Sequence, residues 1–266
     1  MSSAADNWIY GDSAPDLDGR DLVGLKAKWI LRRLAGRVCG RVLDYGCGEG
    51  KHLRMISPDA ERVGVDIRAM RTEADFEFRQ LPPTGSLPFA DDSFDVVLSC
   101  DVLEHVASIE HSLDEIRRVL RPGGAFIGFV PLEGGLAPHS LIRAFSPNIY
   151  VETKDHVRYL TRRQMIDLLC ARFCIRHIEH SYHLFGAFMD AAFFASFKLP
   201  VLGSKIESFW RGMDNPFYRR AQASQSPTML GRVVGLANRL AYYESAILRN
   251  VSIGACGLHF DVEKPR

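Results

Sequence analysis

The chain has 266 residues, is 47% hydrophobic and 24% charged, and carries a formal net charge of +1. That length suffices for one large core, or a core with a cap. The near-neutral balance argues against a dedicated nucleic-acid binder, which needs a strongly basic surface. Six cysteines contain no C-x-x-C pair and no Cys/His spacing of the zinc type. They read as free thiols in a reducing compartment, and no metal site is expected. The start of the chain is acidic, with Asp6, Asp12, Asp16 and Asp18, and lacks the pattern of a signal peptide. No apolar run reaches the roughly 18 residues of a membrane span, so a cytoplasmic protein is expected.

In chain order, Asp21 to Leu34 carries Leu22, Leu25 and Trp29 at helical spacing. Arg41 to Tyr45 predicts a short buried strand, and Lys51 to Ile56 the start of a helix. Arg62 to Asp66 predicts a second strand, Phe76 and Phe78 lie in a third, and Asp95 to Ser99 forms a fourth. Ile109, Leu113, Ile116 and Leu120 then mark one helix face. Arg121-Pro122-Gly123-Gly124 predicts a turn, followed by a fifth strand from Ala125 to Val130. Thr161 with Gln164 has the spacing of a capping box. Cys174 to His183 and Ala255 to Val262 read as two more strands, with Leu184 to Ile253 between them as an inserted helical cap. Cys170 and Cys174, four residues apart, are expected to pack. The pattern predicts an α/β fold: a doubly wound, seven-stranded, mainly parallel sheet in a single domain over 1–266.

The run Val42-Leu43-Asp44-Tyr45-Gly46-Cys47-Gly48-Glu49-Gly50 places a glycine turn between a strand and a predicted helix. Such a turn lets backbone approach a nucleotide-like ligand, and the helix start would offer it unpaired N–H groups. The dinucleotide fingerprint needs a third glycine where Lys51 stands, so a nicotinamide site is excluded. Asp66, ending the second strand, can accept two hydrogen bonds from a ribose diol. Asp44 can accept turn N–H groups and counter a ligand's positive charge.

These residues resemble the first two motifs of the class I, Rossmann-like methyltransferases that use S-adenosyl-L-methionine. Leu87-Pro88-Phe89, Ser93-Phe94-Asp95, Val102-Leu103-Glu104-His105-Val106 and Leu120-Arg121-Pro122-Gly123-Gly124 resemble the type-11 branch. The strong resemblance covers Arg41 to Pro131. It implies that the backbone of Gly46, Cys47 and Gly48 lines the methionine part of the cofactor, with Asp44 beneath the turn in the same cofactor site. It implies that Asp66 holds the ribose and Ile67 packs on adenine, with Ser99, Cys100 and Asp101 facing the sulfonium. The stretch Gln80 to Ser86 lacks the acid that often faces the adenine amino group. Backbone around Leu81 is the expected substitute.

Methyl transfer from a sulfonium is an in-line displacement, in which the protein aligns the acceptor and excludes water. A hydroxyl acceptor must also lose a proton. His105 and His156 are the catalytic candidates, with a helix-start residue and a loop histidine bonding backbone as their plain alternatives. Asp95 is expected to anchor a strand. His177, His180 and His183 do not share a strand face, and no metal site is read there. The 184–253 segment holds eight phenylalanine and tryptophan residues before Tyr218 and has eight basic residues against four acidic ones. It packs on the sheet, or forms a lid over a greasy or phosphorylated acceptor, such as an apolar or sugar- or lipid-linked one, with peripheral membrane contact. The expected activity is methylation of a small molecule, oxygen favoured; the alternative is a cofactor-binding protein without catalysis, acting in assembly or regulation. Oligomeric state is not legible.

Overall fold

Three apolar runs, around Val42-Leu43, Val63 to Val65 and Val96 to Leu98, are buried on both sides. Burial on both faces is what central parallel strands require. The computed structural model describes residues 20, 22–37, 40–70, 74–82, 85–133, 156–188 and 229–266. The strands are β1 (Arg41–Tyr45), β2 (Glu61–Asp66), β3 (Glu77–Gln80), β4 (Phe94–Cys100), β5 (Leu120–Pro131), β6 (Cys174–Ser181) and β7 (Gly257–Glu263). They form one sheet of seven strands in the order β3-β2-β1-β4-β5-β7-β6. Neighbours from β3 to β5 run parallel, and β7 is antiparallel to both β5 and β6. The strand order reverses between β1 and β4. That switch point leaves a crevice beyond their carboxyl ends, where an open α/β sheet binds its ligand.

Alternation along the strands splits the core in two. Leu43, Val97, Phe126 and Val130 meet Ile109, Leu113 and Ile116 of α2 (Ile109–Val119) and Met165 and Leu169 of α3 (Arg162–Cys170). Val42, Val96, Leu98, Ile127 and Phe129 meet Trp29 and Ile30 of α1 (Leu22–Leu34). A fourth helix, α4 (Met229–Ile247), packs against α1 and β6. Helix α2 starts where the Ser108 side chain accepts the His111 N–H. Helix α3 starts with the complete Thr161–Gln164 capping box. No helix among the described residues is long and apolar enough to cross a membrane.

Four expectations need correction. The helix read from Lys51 to Ile56 is only a 3-10 turn at Leu53–Met55, because the chain must reach β2 within a few residues. Arg121 to Gly124 do not interrupt the fifth strand. They belong to β5, whose pairing with β4 shifts register between Phe94 and Val96, and Gly123 adopts φ 78° there. Glu104 and His105 lie in a turn before α2, not at a helix start. Cys170 and Cys174 are exposed rather than packed. Of the predicted cap, residues 184–188 and α4 are helical, and 189–228 lie outside the described residues, as does Cys39.

Candidate functional site

At the end of β1 the chain turns through Gly46 (φ 78°) and Gly48 (φ 53°). The Gly46 and Cys47 N–H groups donate to the Val65 carbonyl at 2.8 and 3.0 Å, tying the turn to β2. The Gly48 N–H donates to Asp66 Oδ2 and the Arg68 N–H to Asp66 Oδ1, both at 2.9 Å. Asp66 therefore shapes the turn as well as ending β2. The two glycines differ in what they face. A Cβ on Gly46 would collide with the Val102 side chain, whereas a Cβ on Gly48 would meet nothing within 4 Å among the described residues. Gly48 thus borders open space at the strand switch point.

Asp44 does not accept the turn N–H groups as the sequence suggested. It is fully buried, and neither carboxylate oxygen has a hydrogen-bond partner among the described residues. His52 Nδ1 lies 3.7 Å from Asp44 Oδ2. The Ser99 hydroxyl, at the end of β4, is likewise buried and unpartnered. Buried polar atoms in that condition are rare and costly, so both await a donor or positive charge from a ligand. Ile67 leaves its side chain 60% exposed just past Asp66, as a residue packing on a base would. The Leu81 N–H is already used, donating to the Asp66 carbonyl at 2.7 Å. Only its carbonyl is left for an adenine amino group. With that adjustment, the residues fit S-adenosylmethionine.

Past Ser99, the Cys100 thiol is buried, and burial pushes its pKa up, which leaves it inert. Asp101 follows in the left-handed region, φ 57°, a conformation that non-glycine residues adopt mainly under constraint. Its N–H donates to the Phe129 carbonyl, and its carboxylate takes Lys26 Nζ at 2.6 and 2.7 Å. Lys26, from α1, is itself buried and lies 4.0 Å from the Phe129 ring centre. Burial alone would raise the Asp101 pKa, but the Lys26 and Lys51 charges outweigh it and hold the carboxyl low.

A second polar group sits beyond Asp101. His156 Nδ1 lies 2.6 Å from Glu133 Oε2, and both residues are buried. Glu104 Oε1 is 3.9 Å from His156 Nε2 and 3.8 Å from His105 Nε2. The two imidazoles meet edge to face at 4.9 Å. The Val157 N–H bonds the Glu104 carbonyl, and Arg158 reaches the Val106 and Ala107 carbonyls, so the later segment is tied to the β4 end. Burial, then the charges of Asp101 and Glu133, push the Glu104 pKa well above the usual carboxylate range. The fold therefore unites the predicted pair His105 and His156, far apart in sequence. Asp95, as expected, is structural: it accepts the Arg41 N–H and pairs with Arg121. Sequence reading missed Glu133 and Lys26. Glu133 had a signal, since it follows β5 on the ligand-binding edge, whereas Lys26 had none beyond its helix.

Residues 43–128 match the type-11 family described as "Methyltransferase domain". This segment is a class I, S-adenosylmethionine-dependent methyltransferase domain. Similar proteins include a demethylmenaquinone methyltransferase of Symbiobacterium thermophilum, 37% identical over 101 residues, 32% of this chain and 40% of the relative. A 27-O-demethylrifamycin SV methyltransferase of Amycolatopsis mediterranei is 36% identical over 112 residues, 36% of this chain and 41% of the relative. The chain thus spans less than half the length of either. The solved YcgJ protein of Bacillus subtilis superposes with a TM-score of 0.53 at 16% identity, covering 91% of this chain and 99% of that one. That likeness is one of fold.

Proposed function

We propose that the chain moves the methyl group of S-adenosylmethionine onto an oxygen of a small-molecule acceptor. The observation that carries this reading is the buried His156–Glu133 pair, set with Glu104 and His105 beyond the carboxyl end of β4. When bound, S-adenosylmethionine supplies an already activated methyl group on a sulfonium. Asp44, Gly48, Asp66, Ile67, Leu81 and Ser99 would hold it, and Asp101, fixed by Lys26, would face its sulfonium end. Glu133 accepts the His156 Nδ1–H. That bond leaves the His156 Nε2 lone pair to take a proton from an acceptor hydroxyl. Burial of Glu104, Glu133 and His156 excludes water, which would otherwise compete with the acceptor.

Relatives named for demethylmenaquinone and demethylrifamycin support a small-molecule acceptor. The aromatic, basic 184–253 segment supports an apolar or lipid-linked one and contact with a membrane surface. The test is release of S-adenosylhomocysteine across a panel of phenols, hydroxyquinones, sugars and amines. Turnover is expected on a hydroxyl acceptor. His156→Gln is expected to lower kcat by about 10²- to 10⁴-fold with little change in S-adenosylhomocysteine affinity. Tight cofactor binding without turnover over the whole panel would favour the non-catalytic alternative. Turnover on amines alone would overturn the oxygen assignment.

A further inference from the structure

Glu104, His105 and His156 each offer one ligand atom, and these atoms all lie within 4.8 Å of one another. We propose that they form a site for one divalent cation of the borderline class of Zn²⁺, held by two imidazoles and a carboxylate. Sequence reading expected no metal, because the ligands come from a turn and a distant segment and have no recognisable spacing.

Four observations converge. First, Glu104 is buried, and its Oε2 has no hydrogen-bond partner among the described residues. Its other oxygen lies 3.8 Å from His105 Nε2 and 3.9 Å from His156 Nε2, too far for hydrogen bonds. Second, donors about 2.1 Å from a tetrahedral ion are about 3.4 Å apart, so small side-chain rotations close the gaps. Third, Glu133 accepts from His156 Nδ1 at 2.6 Å. Metal-bound histidines recurrently show this carboxylate contact, which sets the tautomer and presents a bare Nε2. Fourth, carboxylates gather here: the charges of Asp101 and Glu133 both act on Glu104, while Lys26, 2.6 Å from Asp101, offsets part of their effect.

Two imidazoles and one carboxylate suit borderline ions better than Mg²⁺ or Ca²⁺, which prefer all-oxygen sites. Three protein ligands also leave a coordination position for an acceptor oxygen, whose hydroxyl pKa the ion lowers. That last role rests on the oxygen-methylation reading. Cation binding itself does not, and in the loaded state His156 acts as a ligand.

The experiment titrates chelator-treated full chain with Zn²⁺, Mn²⁺, Co²⁺ and Mg²⁺, by calorimetry and by the visible absorption of Co²⁺. One equivalent is expected to bind, with Mg²⁺ weakest. Glu104→Gln and His156→Gln should raise Kd at least about tenfold, and Glu133→Gln about 10- to 100-fold. Melting curves and S-adenosylhomocysteine binding check that each variant folds. Should Glu104→Gln fail to fold, His105→Gln, at the most exposed ligand, reads the same loss. No saturable binding, or binding that survives all the variants, overturns the site. Stoichiometric binding without methyl transfer supports the site and sinks only the methylation reading. Transfer undiminished in metal-free protein that takes up no ion does the reverse.

Discussion

Gly48→Ala separates cofactor binding from folding, because its Cβ enters space that no atom of the described residues fills. At φ 53°, an alanine costs roughly 1–2 kcal/mol of backbone strain. The loss of chain freedom in the unfolded state returns about 0.4–1 kcal/mol of this. The net is about 1 kcal/mol, and Tm should fall by about 2–4 °C. No steric term adds to it, since nothing stands within 4 Å of the new methyl group. If that space holds the methionine part of the cofactor, the methyl overpacks the complex by roughly 1–3 kcal/mol. That is about a five- to 150-fold rise in Kd. Gly46→Ala is the counterpart. It has φ 78° and its Cβ would collide with the Val102 side chain, so the steric term falls on the folded protein itself. Its Tm should drop further, by several degrees more. Calorimetry with S-adenosylhomocysteine and thermal melts on both variants provide the comparison. Unchanged affinity in Gly48→Ala would refute the assignment of this cradle to the cofactor.

Lys26→Met should destabilise the fold by about 1–3 kcal/mol. It strands Asp101, whose side chain keeps 29% exposure and so escapes the full penalty of about 3–5 kcal/mol for breaking a buried pair. Because the Asp101 pKa is held low, the pair's stabilisation is present above the ordinary aspartate pKa of about 3.9 and is lost as pH falls through the folded value. Chemical denaturation against pH should show a shallower acid limb in the variant; an identical limb would contradict the pairing. His259 is buried, its Nε2 is 2.8 Å from Ser181 Oγ, and burial pushes its pKa down to about 3. Folded protein stays unprotonated there while unfolded chain takes a proton, so stability is full above about pH 6.5 and declines toward pH 3. The slope from this group approaches about 1.4 kcal/mol per pH unit, and His259→Gln should flatten it. Thr161→Ala removes the acceptor of the Gln164 N–H and should lower stability by about 1 kcal/mol in a denaturant titration.

Legibility followed the range of the interactions involved. Ile109, Leu113 and Ile116 share a helix face whatever surrounds them, and the Thr161–Gln164 box closes within one turn. Both were readable for that reason. The segment after Gly50 misled because a glycine turn after a strand commonly opens a helix, yet here only Leu53–Met55 coil. Helix length there depends on how soon β2 must begin, a tertiary demand. Asp44 was read as a turn acceptor because it precedes the turn. In the fold, Val65 and Asp66 on the neighbouring strand take those N–H groups and leave Asp44 unpartnered.

By itself, the sequence determined the alternating architecture, the glycine turn and the residues along one crevice edge, Asp44 to Gly48, Asp66 and Ser99 to Asp101. Each is written in a contiguous motif, and short-range backbone geometry suffices to place it at a strand end. Only the tertiary structure decided what those motifs face. It set Lys26 of α1 against Asp101, and it brought His156 and Glu133 to Glu104 and His105. Contacts across 23 to 75 residues leave no periodic trace, because the sheet order, not the local chain, puts the strand ends side by side.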